Sequence, residues 1–202
     1  MKRLLGVCAI ALPLLYRPAP AQVIEFESNG LKYQTLTRSG VTIMFAHMTQ
    51  HLHSYAILQV AVSNGSSGPY MIRPEDFSFV RADGTTIRAT SAKTVVEMLF
   101  QKGSGNDVVK LVTAYESAVY QNQHVKSTNG YEQRRQSALA MSSTKLRAAA
   151  TASALALSQT KMMPGDSTDG AIFFETEGKP LGLGKLLVRT NTDTFEFLTR
   201  PE

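Results

Sequence analysis

The chain has 202 residues, 43% of them apolar and 18% charged, with a formal net charge of +5 and one cysteine, Cys8. That is enough sequence for one domain with its own core. A single cysteine excludes a disulfide framework and a multi-thiolate metal site, and without a basic run or aromatic–basic interleaving the charge gives no ground for nucleic-acid binding.

The first 21 residues read as an export signal. Lys2 and Arg3 form a basic start, Leu4 to Leu15 an apolar run, and Ala19-Pro20-Ala21 a small-residue cleavage site. The apolar run is too short to span a bilayer core, so cleavage near Gln22 is expected rather than anchoring. Loss of Lys2, Arg3 and Arg17 leaves 18 of the 21 basic residues against 16 acidic, a net charge of +2. Cys8 leaves with them, so the mature chain has no thiol chemistry. Its core alone must hold it in an oxidising compartment, periplasmic or secreted.

Strands dominate from residue 23 to residue 89. Val23 to Ser28 alternates in hydropathy, Asn29-Gly30 is a strong hairpin signal, and Lys32 to Thr37 returns. Ser39-Gly40 closes that strand and Val41 to Ala46 makes a third, followed by a polar link. In Tyr55 to Ser63, Leu58, Val60 and Val62 alternate with Gln59, Ala61 and Ser63. One set faces a core and the other faces solvent or a second layer. Asn64 to Pro69 breaks the run with residues that tolerate positive φ or fix φ. Tyr70 to Arg73 is a short edge segment ahead of Pro74, and Asp76 to Arg81 pairs with Thr85 to Ala89 across Asp83-Gly84.

The period then changes from two to that of a helix. Ser91 is placed to cap a helix with Val95, Val96, Leu99 and Phe100 on its apolar side, ended by Gly103-Ser104-Gly105. A second helix from Asn106 or Asp107 carries Val108, Val112, Tyr115 and Val119 on one face. A third is expected from Asn129-Gly130 towards Ser158, with Leu139, Leu146, Ala150, Ser153 and Leu157 as its buried stripe. Strand signals return after Met163: the Pro164-Gly165-Asp166 turn leads to Ala171–Glu175, and Lys185–Thr190 pairs with Thr194–Leu198 across Asn191-Thr192-Asp193. The late strands are too few to fold alone. The sequence therefore predicts one mainly β domain over residues 22–202, a β-sandwich with an α-helical insertion between strands at about 91–160.

Several short motifs carry a family resemblance. Val62-Ser63-Asn64-Gly65-Ser66, Ile72-Arg73-Pro74-Glu75-Asp76-Phe77, Asp83-Gly84, and Pro164-Gly165-Asp166-Ser167 ahead of Gly170-Ala171-Ile172-Phe173-Phe174-Glu175 resemble exported bacterial immunoglobulin-like domains. Those related to telokin-like or immunoprotective extracellular proteins are the closest in pattern. The resemblance covers Tyr55 to Ala89 and Met162 to Leu198, and the helical stretch departs from it. It implies an immunoglobulin-like β-sandwich outside the cytoplasm, and it brings no catalytic residues to place.

Four candidate sites follow from the residues themselves. His47, His51 and His53 form an H-x3-H-x-H cluster of imidazoles, the ligand type for Zn or Cu, although no single regular structure aligns all three and no carboxylate lies in the segment. Asp166-Ser167-Thr168-Asp169-Gly170 lacks the acidic positions of a calcium loop and reads as a turn. Ser142–Lys145 and Ser158–Lys161 match S-x-x-K without the companion elements of serine acyl-transfer enzymes. The stripe Val108, Val112, Tyr115 and Val119 packs on the sandwich or meets a partner. The expected function is a non-enzymatic, exported binding or structural module of the cell envelope. Its helical insertion offers the surface for a protein partner, no cofactor is required, and a periplasmic metal-binding protein is the alternative.

Overall fold

A computed structural model of the chain describes residues 22–28, 30–119 and 130–199. The expected signal at 1–21, Asn29 of the first turn and Asn129 of the expected helix cap lie outside the described residues. Seven strands come first: β1 (Ile24–Ser28), β2 (Leu31–Arg38), β3 (Val41–Leu52), β4 (Tyr55–Asn64), β5 (Tyr70–Ile72), β6 (Phe77–Arg81) and β7 (Thr86–Thr90). Four helices follow, α1 (Ala92–Lys102), α2 (Gly105–Val119), α3 (Tyr131–Leu139) and α4 (Thr144–Leu155), and then β8 (Thr160–Met162), β9 (Ser167–Glu175), β10 (Gly184–Arg189) and β11 (Thr194–Thr199).

Nine strands form one antiparallel sheet in the order β1-β2-β3-β4-β9-β7-β6-β10-β11, and β5 pairs with β8 beside it. The strands that follow the helices therefore enter the same sheet as those that precede them. β7 meets β9 through only Ala89↔Phe174 and Thr90↔Phe173. At that weak seam the sheet curls, and its far edges approach each other. Phe45 of β3 packs edge-on against Phe197 of β11, with ring centroids 5.0 Å apart. Gln34 of β2 donates from Nε2 to the Leu198 carbonyl at 2.8 Å, and Ser39 Oγ donates to Asp193 Oδ1 at 2.7 Å. Side chains, not a backbone ladder, join the two edges.

Period-two alternation decides which residues go where. Leu58, Val60 and Val62 of β4 bury with Ile43, Phe45, Phe77, Phe79, Leu186, Val188, Phe195 and Phe197 inside the curl. Each such side chain contributes about 1.5–3 kcal/mol of transfer free energy. The alternate residues of β4, Tyr55 and Ile57, bury with Phe173 of β9 under the helices against Val95, Leu99, Leu111 and Tyr115. The central strands are thus covered on both faces.

Turn chemistry holds as the residues dictate. Ser39 and Gly40 both take positive φ, 49° and 80°, between β2 and β3, and Gly84 takes +86° between β6 and β7. Ser91 caps α1 by accepting the Thr94 amide at 3.2 Å.

Four features differ from the sequence reading. β3 continues through the histidine segment to Leu52, with a bulge between His47 and His51, because Leu52 pairs with Tyr55 and both bury under the helices. The expected third helix is two: the chain leaves helical pairing after Leu139, and Ser143 caps a new helix by accepting the Leu146 amide at 3.1 Å. That restart changes the helical phase. Ala148, Ala149, Ala152 and Leu155 line the buried face of α4, Leu146 is exposed, and Leu157 buries in the sheet core from the connector after the helix. Phe100 lies on the outer side of α1, 57% exposed, while Val95 and Leu99 face inward. Finally, β8 is a strand only because β5 supplies its ladder: its three residues carry no periodic pattern of their own.

Candidate functional site

A polar cleft opens where the helical layer meets the beginning of β9. β7 leaves β9 after two residue pairs, and the connector from α4 to β8 takes over the vacated edge. Leu157 N donates to the Ala171 carbonyl at 3.0 Å, and Ala156 bridges Ala171 in parallel. Gly170 makes this approach possible: a Cβ there would lie 2.4 Å from the backbone of Leu157. Beyond that contact the connector and β9 diverge. The cleft between them, about 320 Å³, is lined by Ser158, Thr160 and Met162 on one bank, Asp166, Ser167, Thr168 and Asp169 on the other, and Arg134 of α3.

Asp169 is the most constrained of these groups. It is 3% exposed, and its Oδ2 accepts from Tyr115 Oη at 2.5 Å and from Gln59 Nε2 at 3.3 Å. Gln59 comes from β4 and Tyr115 from the inward face of α2, so sheet and helix layer both aim donors at one carboxylate. Tyr115 in turn packs on Tyr131 of α3, ring centroids 4.0 Å apart. Arg134 donates from Nε and Nη2 to the Ala154 carbonyl at 3.1 and 2.9 Å, tying α3 to the last turn of α4. On the β9 bank Asp166 Oδ2 accepts the Met163 amide at 2.7 Å, and on the connector bank the Met162 carbonyl accepts from Asn64 Nδ2 at 3.1 Å. The cleft wall is therefore held by hydrogen bonds rather than by loose side chains. It can offer hydroxyls, carboxylate acceptors and a guanidinium to a ligand.

The three histidines do not converge. His47 stacks edge-on against Phe45 at 5.4 Å, His51 Nε2 meets the Lys179 carbonyl at 3.2 Å, and His53 Nε2 meets Asp107 Oδ2 at 3.1 Å. Among the described residues no three His, Cys, Asp or Glu side chains gather closely enough to hold a metal ion. The carboxylate missing from the segment arrives from α2, but for a structural purpose. Asp107 Oδ2 also accepts from Ser104 N and Oγ, both at 2.8 Å, and Asp107 N donates to Ser104 Oγ at 3.3 Å. This reciprocal cap starts α2 and locks it to the β3–β4 turn. Burial pushes the Asp107 carboxyl up, yet the Ser104 hydroxyl, its amide and His53 outweigh that and hold it below its ordinary value.

The α2 stripe is also placed. Val108, Tyr115 and Val119 are buried against the sheet, and Val112 packs beside them. These side chains hold the insertion on the domain and leave no stripe to display to a partner, because the outer face of β3, β4 and β9 is itself apolar. Of the S-x-x-K serines, Ser142 is exposed ahead of α4, whose cap is its neighbour Ser143, and Ser158 lines the cleft. Sequence reasoning put Asp169 in a turn, where the chain is already in β9, and missed Arg134. The available signal was the period of two itself: carried back from Phe173 and Ala171, it sets Asp169 on the helix-facing side of β9.

No protein family and no curated protein matches the chain. A solved structure similar to it is that of the yjhA protein from Bacillus subtilis, at 9% identity over 89% of this chain and 96% of that one, with a TM-score of 0.37.

Proposed function

We propose that the chain is a non-enzymatic exported module of immunoglobulin-like β-sandwich type that binds a component of the cell envelope or the extracellular space. The observation that carries this reading is the polar cleft of about 320 Å³ whose banks come from both the sheet and the helical insertion. Its size falls within the ~300–1,000 Å³ common for ligand sites, and sites at the junction of two structural layers are frequent binding places. The opposed apolar faces of the curled sheet support the sandwich reading, and the leader-like residues 1–21 support export.

Recognition moves accordingly, from the buried α2 stripe to the cleft beside α3 and α4. The test pairs the intact chain with Ser158→Trp, which fills the cleft from an exposed position, in recovery of binding partners from envelope extract. Loss of specific partners with Ser158→Trp, at unchanged melting temperature, is the expected result; equal recovery by both overturns it. Export is checked by N-terminal sequencing of the chain recovered from periplasm or medium, which should begin near Gln22.

A further inference from the structure

We infer that the cleft takes a neutral, polyhydroxylated ligand, a saccharide unit. This deepens the binding-module reading above and rests on it. The lining decides the class. Ser158, Thr160 and Ser167 bring hydroxyls, that of Thr160 already donating to the Ser158 carbonyl, Asp166 and Asp169 bring acceptors, and Arg134 brings donors. Ala156 and Met162 are the only apolar residues among the described residues of the lining, so an apolar ligand would leave those walls dehydrated and unpaired. A phosphate or other anion would sit beside two carboxylates, and an amine would meet the Arg134 guanidinium; each mixed-sign neighbour disfavours a ligand of net charge. Neighbouring ligand hydroxyls match the wall, since each can give one hydrogen bond and take others.

The arrangement is also pre-organised, which lowers the cost of binding a flexible polar molecule. Tyr115 and Gln59 orient Asp169 from behind, Arg134 is braced on the Ala154 carbonyl, and the Met163 amide holds Asp166.

The experiment is an amide-shift titration of the folded chain by NMR with glucose and N-acetylglucosamine, alongside inorganic phosphate and methylammonium. Saturable shifts at Ser158, Thr168 and Asp169 with either sugar, and none with the charged probes, are expected. Asp169→Asn and Ser158→Ala should each weaken sugar binding, the first by about tenfold or more, the worth of one hydrogen bond to a charged group. Ser158 is exposed, so its variant keeps the test alive should Asp169→Asn fail to fold. Sugar shifts confined to other surfaces, or equal shifts with phosphate or methylammonium, overturn the ligand class. So does silence up to roughly 50 mM sugar, where even a ~1 mM site would be saturated. A cleft silent to sugars that still loses its extract partners in Ser158→Trp refutes the saccharide and keeps the module. Silence to sugars together with full recovery refutes both.

Discussion

Asn64 offers the sharpest test of how the fold holds the cleft. It is fully buried at the end of β4, where its Nδ2 donates to the carbonyls of Gly68 at 2.9 Å and Met162 at 3.1 Å. Its Oδ1 accepts the Ser66 amide at 3.1 Å and the Ser66 hydroxyl at 2.6 Å, so both ends of the amide are used. The backbone adds Asn64 N to the Asp166 carbonyl at 2.9 Å and Gly165 N to the Asn64 carbonyl at 2.7 Å. One side chain thus ties the 64–69 loop to the segment that carries Met162 and Asp166 of the cleft. Replacing it with alanine removes four side-chain hydrogen bonds and leaves the Met162 carbonyl buried without that donor. At about 0.5–1.5 kcal/mol for each bond and about 1–3 kcal/mol for an orphaned buried group, with incomplete additivity, Asn64→Ala should cost about 2–4 kcal/mol. For a domain of this length that lowers Tm by about 5–15 °C. Urea unfolding should show a lower midpoint at unchanged slope. Asn64→Asp is the discriminating partner, because it keeps the shape and loses both donors. It should be at least as unstable as the alanine variant; an aspartate variant within about 0.5 kcal/mol of the parent would refute the reasoning.

Tyr115→Phe keeps the ring packing on Tyr131 and removes the hydroxyl from Asp169, so it should destabilise by about 1–3 kcal/mol in urea unfolding; a neutral effect would mean the carboxylate does not need that donor. The Asp107 carboxyl titrates lower folded than unfolded, so its contribution is fully present above the unfolded value of about 3.9 and fades as pH falls through the lower folded value. Asp107→Asn should flatten the acid limb of a stability–pH profile, and an unchanged limb would count against the Ser104–Asp107–His53 lock. Zinc added to chelator-treated protein should leave the melt where it was, since His47, His51 and His53 have separate partners. A rise of several degrees would show that the three imidazoles can be gathered on a metal.

Much of the framework was legible residue by residue. Leu58, Val60 and Val62 alternate, Ser39-Gly40 and Asp83-Gly84 turn, and Ser91 caps, because dihedral preference and side-chain direction are properties of a few neighbouring residues. The helix break at Ala140–Ser143 was harder to see: Ala and Ser continue a helix or leave one at small cost, and the Ser143 cap could be read only after the phase had shifted. The histidine segment misled for a related reason. Its polar residues resemble a loop, yet Leu52 and Tyr55 bury together under the helices and carry the strand through.

From the residues alone came most of the strands, the turns and the two-sided character of β4, since each depends on local spacing and residue chemistry. Tertiary structure alone decided that β9 lies between β4 and β7, that α2 spends its apolar face on the sheet, and that Gln59, Tyr115 and Asp169 meet beneath a cleft edged by Arg134. Those outcomes depend on which buried faces find each other across more than fifty residues of chain. No local pattern encodes that choice; the burial of apolar area and the pairing of buried polar groups do.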